Sequence, residues 1–407
     1  MLSDIPKALA EKIIRYAKLP QTGVSLRQMI RFGQTPNQGT LLRASEFVYD
    51  ELPIRLAHRV VELDTMPEIS RMNSVLKVKN WYIESFNELI HFPKVPEKIR
   101  DLVLSNTINE VGDSPLHINN NDFDYKNYYH NTRDVKYPLE VSEYNSSLVK
   151  LISNIKKRHD SVVITIAQGV KDYKRDSNLD VINNQMQTFL DRFYLSRIGI
   201  RMLIGQTVEL NNRNRHKDYV GIICTKTRVH NVIQEAIDNA KFICQDYYFL
   251  SNPPKIELYC PTSLEFPYVP SHLHHMLFEL IKNCLRATVE LYGEDADSYP
   301  PIKVIVASGN EDIAIKISDE GGGISRSALE KVWTYMYTTA DNTPDLEDSF
   351  DQTDFKAPLA GFGYGLPLSR LYARYFGGDL KIISMENYGT DAYLHLSRLS
   401  DSEEPLC

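Results

Sequence analysis

The apolar residues keep one spacing up to about residue 212 and another beyond it, and this single change limits the fold more than any other feature. Before the change, "QGTLLRASEFVYDELPIRLAHRVVELD", "SVLKVKNWYIESFNELIHF", "SLVKLISNIKKRHDSVVITIAQGVKDY" and "INNQMQTFLDRFYLSRIGIRMLIGQTVEL" place apolar side chains three and four apart. That spacing marks amphipathic helices, and four in succession predict an antiparallel bundle over residues 1–212. Between the second and third lies an Asn-, Asp- and Tyr-rich stretch, 105–147, without periodicity and too long for a simple connection. It reads as an inserted surface loop.

The polar break "NNRNRHKD" (Asn211 to Asp218) ends this part, and residues 213–399 alternate between strand and helix patterns. "YVGIICT", "KIELYC" and "LEFPYV" read as strands, as do "IKVIVASG" and "DIAIKISD" across a short turn. "VHNVIQEAIDNAKFICQDYY", a stretch from Pro270 with Ser271 as N-cap, and "YGLPLSRLYARYF" before Gly377–Gly378 read as helices. Two closing strands and a short acidic tail, 400–407, follow. The predicted fold is a helical bundle followed by an α/β sandwich.

Composition narrows the function classes. A net charge of −7 gives no reason to expect nucleic acid as a partner, and no apolar run approaches the roughly 20 residues that cross a bilayer. Cys224, Cys244, Cys260, Cys284 and Cys407 form no CxxC and no paired spacing, which points to reduced thiols rather than a zinc site or a disulfide framework.

Three constellations carry chemistry. On the helix "HLHHMLFELIKNCLRATVE", Leu273, Leu277, Leu280, Cys284, Ala287 and Leu291 share one side, and His275, Glu279, Asn283 and Arg286 share the other. Alone, that polar stripe also reads as an ordinary solvent face, and no HExxH pattern supports zinc on the histidines. In "ISDEGGGIS", Asp319 ends a strand, where it can accept a hydrogen bond from an exocyclic amine, and Gly321 and Gly323 let a planar base approach. In "LAGFGYGLPLSR", Gly361, Gly363 and Gly365 precede a helix, where backbone N–H groups make an anion site. Each glycine run alone is also a turn. Together and in this order, with "GTD" at Gly389–Asp391 between the last strands, they point to a nucleotide.

The set resembles the Bergerat ATP-binding fold of gyrase-type ATPases, Hsp90, MutL and histidine kinases. More narrowly, "PSHLHHMLFELIKNCLRATVELY", "IKISDEGGGI", "MYTTA", "APLAGFGYGLPLSRLYARYFGGDL" and "SMENYGTDAYLHL" resemble the mitochondrial kinases of pyruvate and branched-chain 2-oxoacid dehydrogenases. "ELPIRLAHRV", "RHDSVVITIAQGV" and "FLDRFYLSRIGIRMLIGQ" resemble that family's helical domain. The resemblance implies ATP and Mg²⁺ as cofactors and a substrate serine on the E1 alpha subunit. It makes Glu279 the general base, His275 its neighbour and Asn283 the magnesium ligand, with Arg286 in the ATP-binding segment. Asp319 would read the adenine amine with Thr390, beside Gly321 and Gly323. Thr338, Thr339 and the loop Gly361, Phe362, Gly363, Tyr364, Gly365 and Leu366 would wrap the phosphates, and 342–358 would form a lid.

The resemblance further implies a lipoyl domain of the E2 core bound by the helical part, and a homodimer or a heterodimer with a paralogue in the mitochondrial matrix. It also implies an allosteric pocket for a small 2-oxoacid, for which Arg192, Arg197 and Arg201 are candidates, surface ion pairs being the other reading. The family's long C-terminal tail with its Asp-Trp pair has no counterpart in "SDSEEPLC", so tail-dependent lipoyl binding is not carried over. Pyruvate dehydrogenase is the preferred substrate on wider resemblance, and the branched-chain enzyme is the alternative. Less favoured are a histidine kinase, for which His159–Asp160 would be the phosphoacceptor motif, and an ATP-operated clamp of the Hsp90 or MutL type.

Overall fold

The computed structural model describes residues 5–34, 36–66, 68–107, 131–177, 182–212, 216–339, 363–398 and 404–406. The chain forms two compact units, one from 1–162 with 199–223 and the other from 163–198 with 224–405.

The first unit holds α1 (Lys7–Tyr16), α2 (Leu26–Gly33), α3 (Gln38–Thr65), α4 (Asn73–His91), α5 (Glu97–Ser105) and α6 (Leu139–Arg158). Helix α2 opens on a capping box in which Ser25 and Gln28 satisfy each other's backbone N–H groups, and α3 opens on Asn37, whose side chain accepts from Thr40 N. Helix α3 is buried on every side and forms the axis of the unit. Its Leu52, Leu56 and Val60 share the core with Val78, Tyr82 and Phe86 of α4 and Leu148, Ile152 and Ile155 of α6.

Two expectations change here. Helix α6 begins at Leu139, after Pro138, so the end of the stretch expected to be loop is helical. Thr107 pairs with Thr132 in an antiparallel bridge, and Asn37 grips Thr132 through Nδ2 to the carbonyl at 2.7 Å and through Oδ1 to the hydroxyl at 2.6 Å. Residues 108–130, the remainder of that stretch, lie outside the described residues. The expected third helix is broken at His159–Ser161 into α6 and α7 (Val162–Asp176). His159 is buried, stacks on Tyr82 at 4.4 Å and sits 3.0 Å from Ser85 Oγ. These tertiary contacts override a continuous helical pattern that contains no Gly or Pro at the break.

Helix α8 (Asn184–Leu210) is one continuous helix whose residues up to Ile198 belong to the second unit and whose last turns, from Gly199, belong to the first. The stretch "YVGIICT" divides into β1 (Tyr219–Val220) and β2 (Ile223–Arg228), because Gly221 takes a φ of 62° that stops the extended run.

The second unit continues through α9 (Val229–Tyr248), β3 (Ile256–Tyr259), β4 (Glu265–Tyr268), α10 (Pro270–Tyr292), β5 (Ile302–Ser308) and β6 (Asp312–Gly322). Then come α11 (Arg326–Leu329), a 3₁₀ turn (Lys331–Trp333), α12 (Gly365–Tyr375), β7 (Asp379–Met385) and β8 (Tyr388–Ser397). Five strands form one sheet in the order β3-β5-β6-β8-β7, parallel between β3 and β5 and antiparallel elsewhere. Ile302, Val304, Ile313, Ile315, Ile317, Leu380, Leu394 and Leu396 are buried from one face, on which α10 packs over β6 with α9 and α12 beside it. The other face alternates out of the core and carries Lys303, Ile305, Lys381 and Ile383. Pro270 occupies the first position of α10, but the N-cap is Val269, not Ser271. Proline at that position costs no hydrogen bond, and its fixed φ starts the helix without a side-chain cap.

Candidate active site

Helix α10 buries Leu273, Met276, Leu277, Leu280, Ile281, Cys284 and Leu285 against the sheet and its neighbours. The opposite stripe is not an ordinary solvent face, because Glu279 is only 9% exposed. Its carboxylate accepts from Lys282 Nζ at 2.9 Å, one turn along the helix. Burial pushes this carboxyl up, but the charges of Lys282 and then His275, with the Lys282 hydrogen bond, outweigh it and hold the group below its ordinary value. Glu279 is therefore an ionised carboxylate at neutral pH.

The backbone of Gly365 closes on this carboxylate from α12. A Cβ at Gly365 would collide with Glu279 Oε2, so a side chain there would displace the base. His275 is held from the same helix by Tyr372, whose ring lies edge-on at 5.1 Å from His275 and 4.7 Å from His272. Asn283 is half-buried on the Glu279 stripe and makes no side-chain hydrogen bond among the described residues. Arg286 reaches from the next turn to Thr339 Oγ1 at 3.1 Å, which ties α10 to the segment after the 3₁₀ turn.

The second constellation sits where β6 meets β8. Asp319 is buried and directly opposite Thr390 in the strand register. Its Oδ1 accepts from Gly321 N at 2.9 Å, which turns the carboxylate back along the strand end. Burial raises this carboxyl above its ordinary value, against the pull of hydrogen bonds from Gly321, Cys284 and Thr390. Thr390 Oγ1 and Ser384 Oγ are 2.9 Å apart, so the hydroxyl is already positioned by β7. A Cβ at Gly321 would stand 2.7 Å from Ala287 Cβ and 2.8 Å from its carbonyl carbon; only glycine lets β6 lie this close to α10. Gly323, at φ 69°, faces the carbonyl of Met385 with the same intolerance of a side chain.

For the third constellation, Gly363 has a φ of 74° and packs backbone to backbone on Tyr337, where a Cβ would stand 2.7 Å from the amide nitrogen. Tyr364 is buried, and Gly365 and Leu366 form the first turn of α12 with their N–H groups uncommitted within the helix. Gly361, Phe362 and the expected lid 342–358 lie outside the described residues. Thr338 and Thr339 directly precede them.

The structure thus brings Glu279, His275, Asn283 and Arg286 onto one stripe, with Gly365 against the base and Thr339 against Arg286. Asp319, Gly321 and Thr390 form a separate polar end beneath the same helix. Sequence reasoning missed Lys282 and Tyr372. Lys282 falls off the Glu279–Asn283 stripe by helical count but reaches back along its long stem. Tyr372 reads as one more core aromatic of α12.

In the first unit, His159 is 2% exposed, beneath Tyr82 and Ser85, a poor presentation for a phosphoacceptor. Arg201 pairs with Asp160 at 2.8 Å, the ion-pair reading for that arginine, and Arg197, which belongs to the second unit, is buried. Among the described residues no group of three or more His, Cys, Asp or Glu is placed to hold a metal ion.

Comparison with known proteins places these features. The family profile described as "Mitochondrial branched-chain alpha-ketoacid dehydrogenase kinase" matches residues 23–224. The profile described as "Histidine kinase-, DNA gyrase B-, and HSP90-like ATPase" matches residues 268–400. The chain is 45% identical, over all of both chains, to the mitochondrial [pyruvate dehydrogenase (acetyl-transferring)] kinase of Schizosaccharomyces pombe. It is 45% identical to the enzyme of that name from Arabidopsis thaliana, covering 98% of this chain and 97% of that one. With the human isozyme 3 it shares 37% identity over 97% of this chain and 87% of the relative. A helical first part, an ATPase part carrying all three constellations, and this full-length identity lead to one assignment: the chain belongs to the family of mitochondrial pyruvate dehydrogenase and branched-chain 2-oxoacid dehydrogenase kinases.

Proposed function

We propose that this chain is an ATP-dependent serine kinase that phosphorylates, and so inactivates, the E1 alpha subunit of the pyruvate dehydrogenase complex in the mitochondrial matrix. The observation that carries the reading is the buried, ionised Glu279 between Lys282 and the backbone of Gly365. A base held in that state accepts the proton of a serine hydroxyl as the hydroxyl oxygen attacks the γ-phosphorus. His275, steadied by Tyr372, lies one turn away on the same stripe and helps to lower the Glu279 carboxyl. Asp319 would accept from the adenine amine, with Thr390 directly opposite it in the strand register. Thr338, Thr339 and the N–H groups of Gly363 to Leu366 would take the phosphates.

Mg²⁺ fits this donor set. Asn283 offers a carboxamide oxygen that has no partner among the described residues, on the Glu279 stripe, and a hard cation is commonly held by one protein group together with phosphate oxygens. When bound, it would neutralise charge on the transferring phosphoryl group.

The helical part, 1–212, would dock a lipoyl domain of the E2 core, and residues 213–399 would be the catalytic part before the short tail 400–407. In support of a homodimer, or a heterodimer with a paralogue, the outer sheet face leaves Ile305 and Ile383 41% and 58% exposed. Among the described residues no helix is long and apolar enough to cross a membrane.

Transfer of label from γ-labelled ATP onto purified E1 of both complexes, with and without their lipoyl-bearing cores, tests the substrate. Acid-stable label on the pyruvate dehydrogenase E1 alpha subunit is expected. Label on the branched-chain E1 alone would favour the second reading, which the profile over residues 23–224 keeps in view.

A further inference from the structure

The segment after α11 reaches the two lid-head threonines with one 3₁₀ turn (Lys331–Trp333) and no strand or helix between that turn and Thr339. Backbone groups in such a segment need partners from elsewhere. They come from α8. The Gln187 carboxamide donates from Nε2 to the Trp333 carbonyl at 2.9 Å and accepts at Oε1 from Tyr335 N at 3.1 Å. One side chain thus does for this segment what a neighbouring strand would do. One turn along α8, Asp191 Oδ1 accepts from Tyr335 Oη at 2.8 Å, and Tyr335 is only 1% exposed. One turn further, Tyr194 packs its ring on Tyr335 at 5.4 Å and on Tyr364 at 5.8 Å, and those two rings lie 5.1 Å apart.

This anchoring touches both phosphate-wrapping segments. Next in the chain, Met336 takes a φ of 64°, a left-handed conformation that a non-glycine residue keeps only when its surroundings enforce it. Tyr337 then presents its backbone to Gly363, too close for any side chain there. Tyr364 caps the start of α12, and Thr339, a few residues past Tyr335, meets Arg286 of the catalytic helix. The face of α8 bearing Gln187, Asp191 and Tyr194 thus fixes the segment before Thr338 and Thr339 and, through the Tyr364 ring, the entry to α12 at Gly363 and Tyr364.

We propose that Gln187 and Asp191 are positioning residues for ATP, acting from a helix outside the nucleotide-binding motifs by presetting the backbone that takes the phosphates. This rests on the reading of Thr338, Thr339 and Gly363 to Leu366 as the phosphate-wrapping segments. Preorganised binding groups raise affinity because ordering is not charged to the binding step. Loss of these hydrogen bonds therefore appears in nucleotide affinity and spares the chemical step, which belongs to Glu279.

The experiment uses the full chain with Mg·ATP and the E1 substrate, reading KM and kcat together with the Kd for ATP. Gln187→Met keeps the length and removes both backbone hydrogen bonds; Asp191→Ala removes the Tyr335 acceptor, Asp191→Asn restores it, and Tyr335→Phe removes the donor alone. We expect Gln187→Met and Asp191→Ala to raise KM and Kd for ATP by roughly 3- to 30-fold, the effect of one or two hydrogen bonds, with kcat changed by less than about twofold. Asp191→Asn should return most of the affinity, and Tyr335→Phe should add nothing in the Asp191→Ala background. Unchanged ATP affinity in folded Gln187→Met and Asp191→Ala, or a fall in kcat with KM unmoved, would overturn the proposal and leave these contacts as packing. The wild-type chain is measured first: failure to bind ATP there would overturn the site itself, whereas a wild type that binds ATP beside unaffected variants would overturn only the positioning role.

Discussion

Two buried ion pairs, one in each compact unit, look alike on paper and behave oppositely. In α3 of the first unit, Arg55 Nε meets Glu51 Oε1 at 2.8 Å, four residues apart, with both side chains at most 2% exposed. In α10 of the second, Lys282 Nζ meets Glu279 Oε1 at 2.9 Å, three residues apart. Glu51 is enclosed: Thr22 N donates to it, and Arg55 also donates to the Thr22 carbonyl. Burial nonetheless dominates there, and the Glu51 carboxyl sits above its ordinary value. At Glu279 the attraction of Lys282, followed by that of His275, outweighs burial, and the carboxyl sits below its ordinary value. Depth and distance are nearly shared; what differs is how charge balances burial and what lies opposite. A segment of chain at Thr22 closes over Glu51, whereas the backbone of Gly365 lies against Glu279, the base proposed above.

The largest expected break in this comparison is Glu279→Gln, which should lower kcat by about 10²–10⁴-fold while ATP still binds. Glu51→Gln should leave turnover per folded molecule unchanged and lower the melting temperature. Near-wild-type phosphorylation by Glu279→Gln would remove it as the base. Next is Gly365→Ala, whose Cβ would push the carboxylate aside and reduce kcat by up to about 10²-fold, read in single-turnover assays. Arg55→Met, by contrast, should destabilise the fold by about 3–5 kcal/mol, because it leaves a buried carboxylate unpaired; chemical denaturation measures it.

Lys282→Met sharpens the comparison through pH. With that charge gone, burial raises the Glu279 carboxyl, so the acid limb of kcat should move to higher pH. The linkage signs also differ. The lowered Glu279 value contributes stability above its ordinary 4.5 that is lost as pH falls through the folded value. The raised Glu51 value acts in reverse: its folded form binds the proton more tightly, so its contribution weakens as pH climbs from 4.5 through the folded value. The smallest effect is expected at the outer sheet face, where Ile383→Glu should dissociate a dimer in sedimentation experiments and barely alter ATP affinity.

What the sequence made legible followed from spacing. His275, Glu279 and Asn283 stand four apart, so one stripe of α10 could be drawn without coordinates, and Asp319 announced itself as an acid at the end of an alternating strand. Contacts made by long or aromatic side chains across elements were not legible. Lys282 looks like any helical lysine, and Gln187 and Asp191 look like the polar face of α8. The break at His159 had no glycine or proline to signal it, and its cause lies on α4, in Tyr82 and Ser85. The start of α6 was hidden by the asparagine- and tyrosine-rich stretch before it.

Helix α8 belongs to one unit as far as Ile198 and to the other from Gly199. Anyone splicing relatives of this enzyme would naturally cut at the polar break near residue 212, where the sequence pattern changes. Such a chimaera would import a foreign Gln187, Asp191 and Tyr194 beneath the recipient's nucleotide segment. Cutting before Asn184 keeps those parts native, and the mismatch then falls on the last turns of the helix instead.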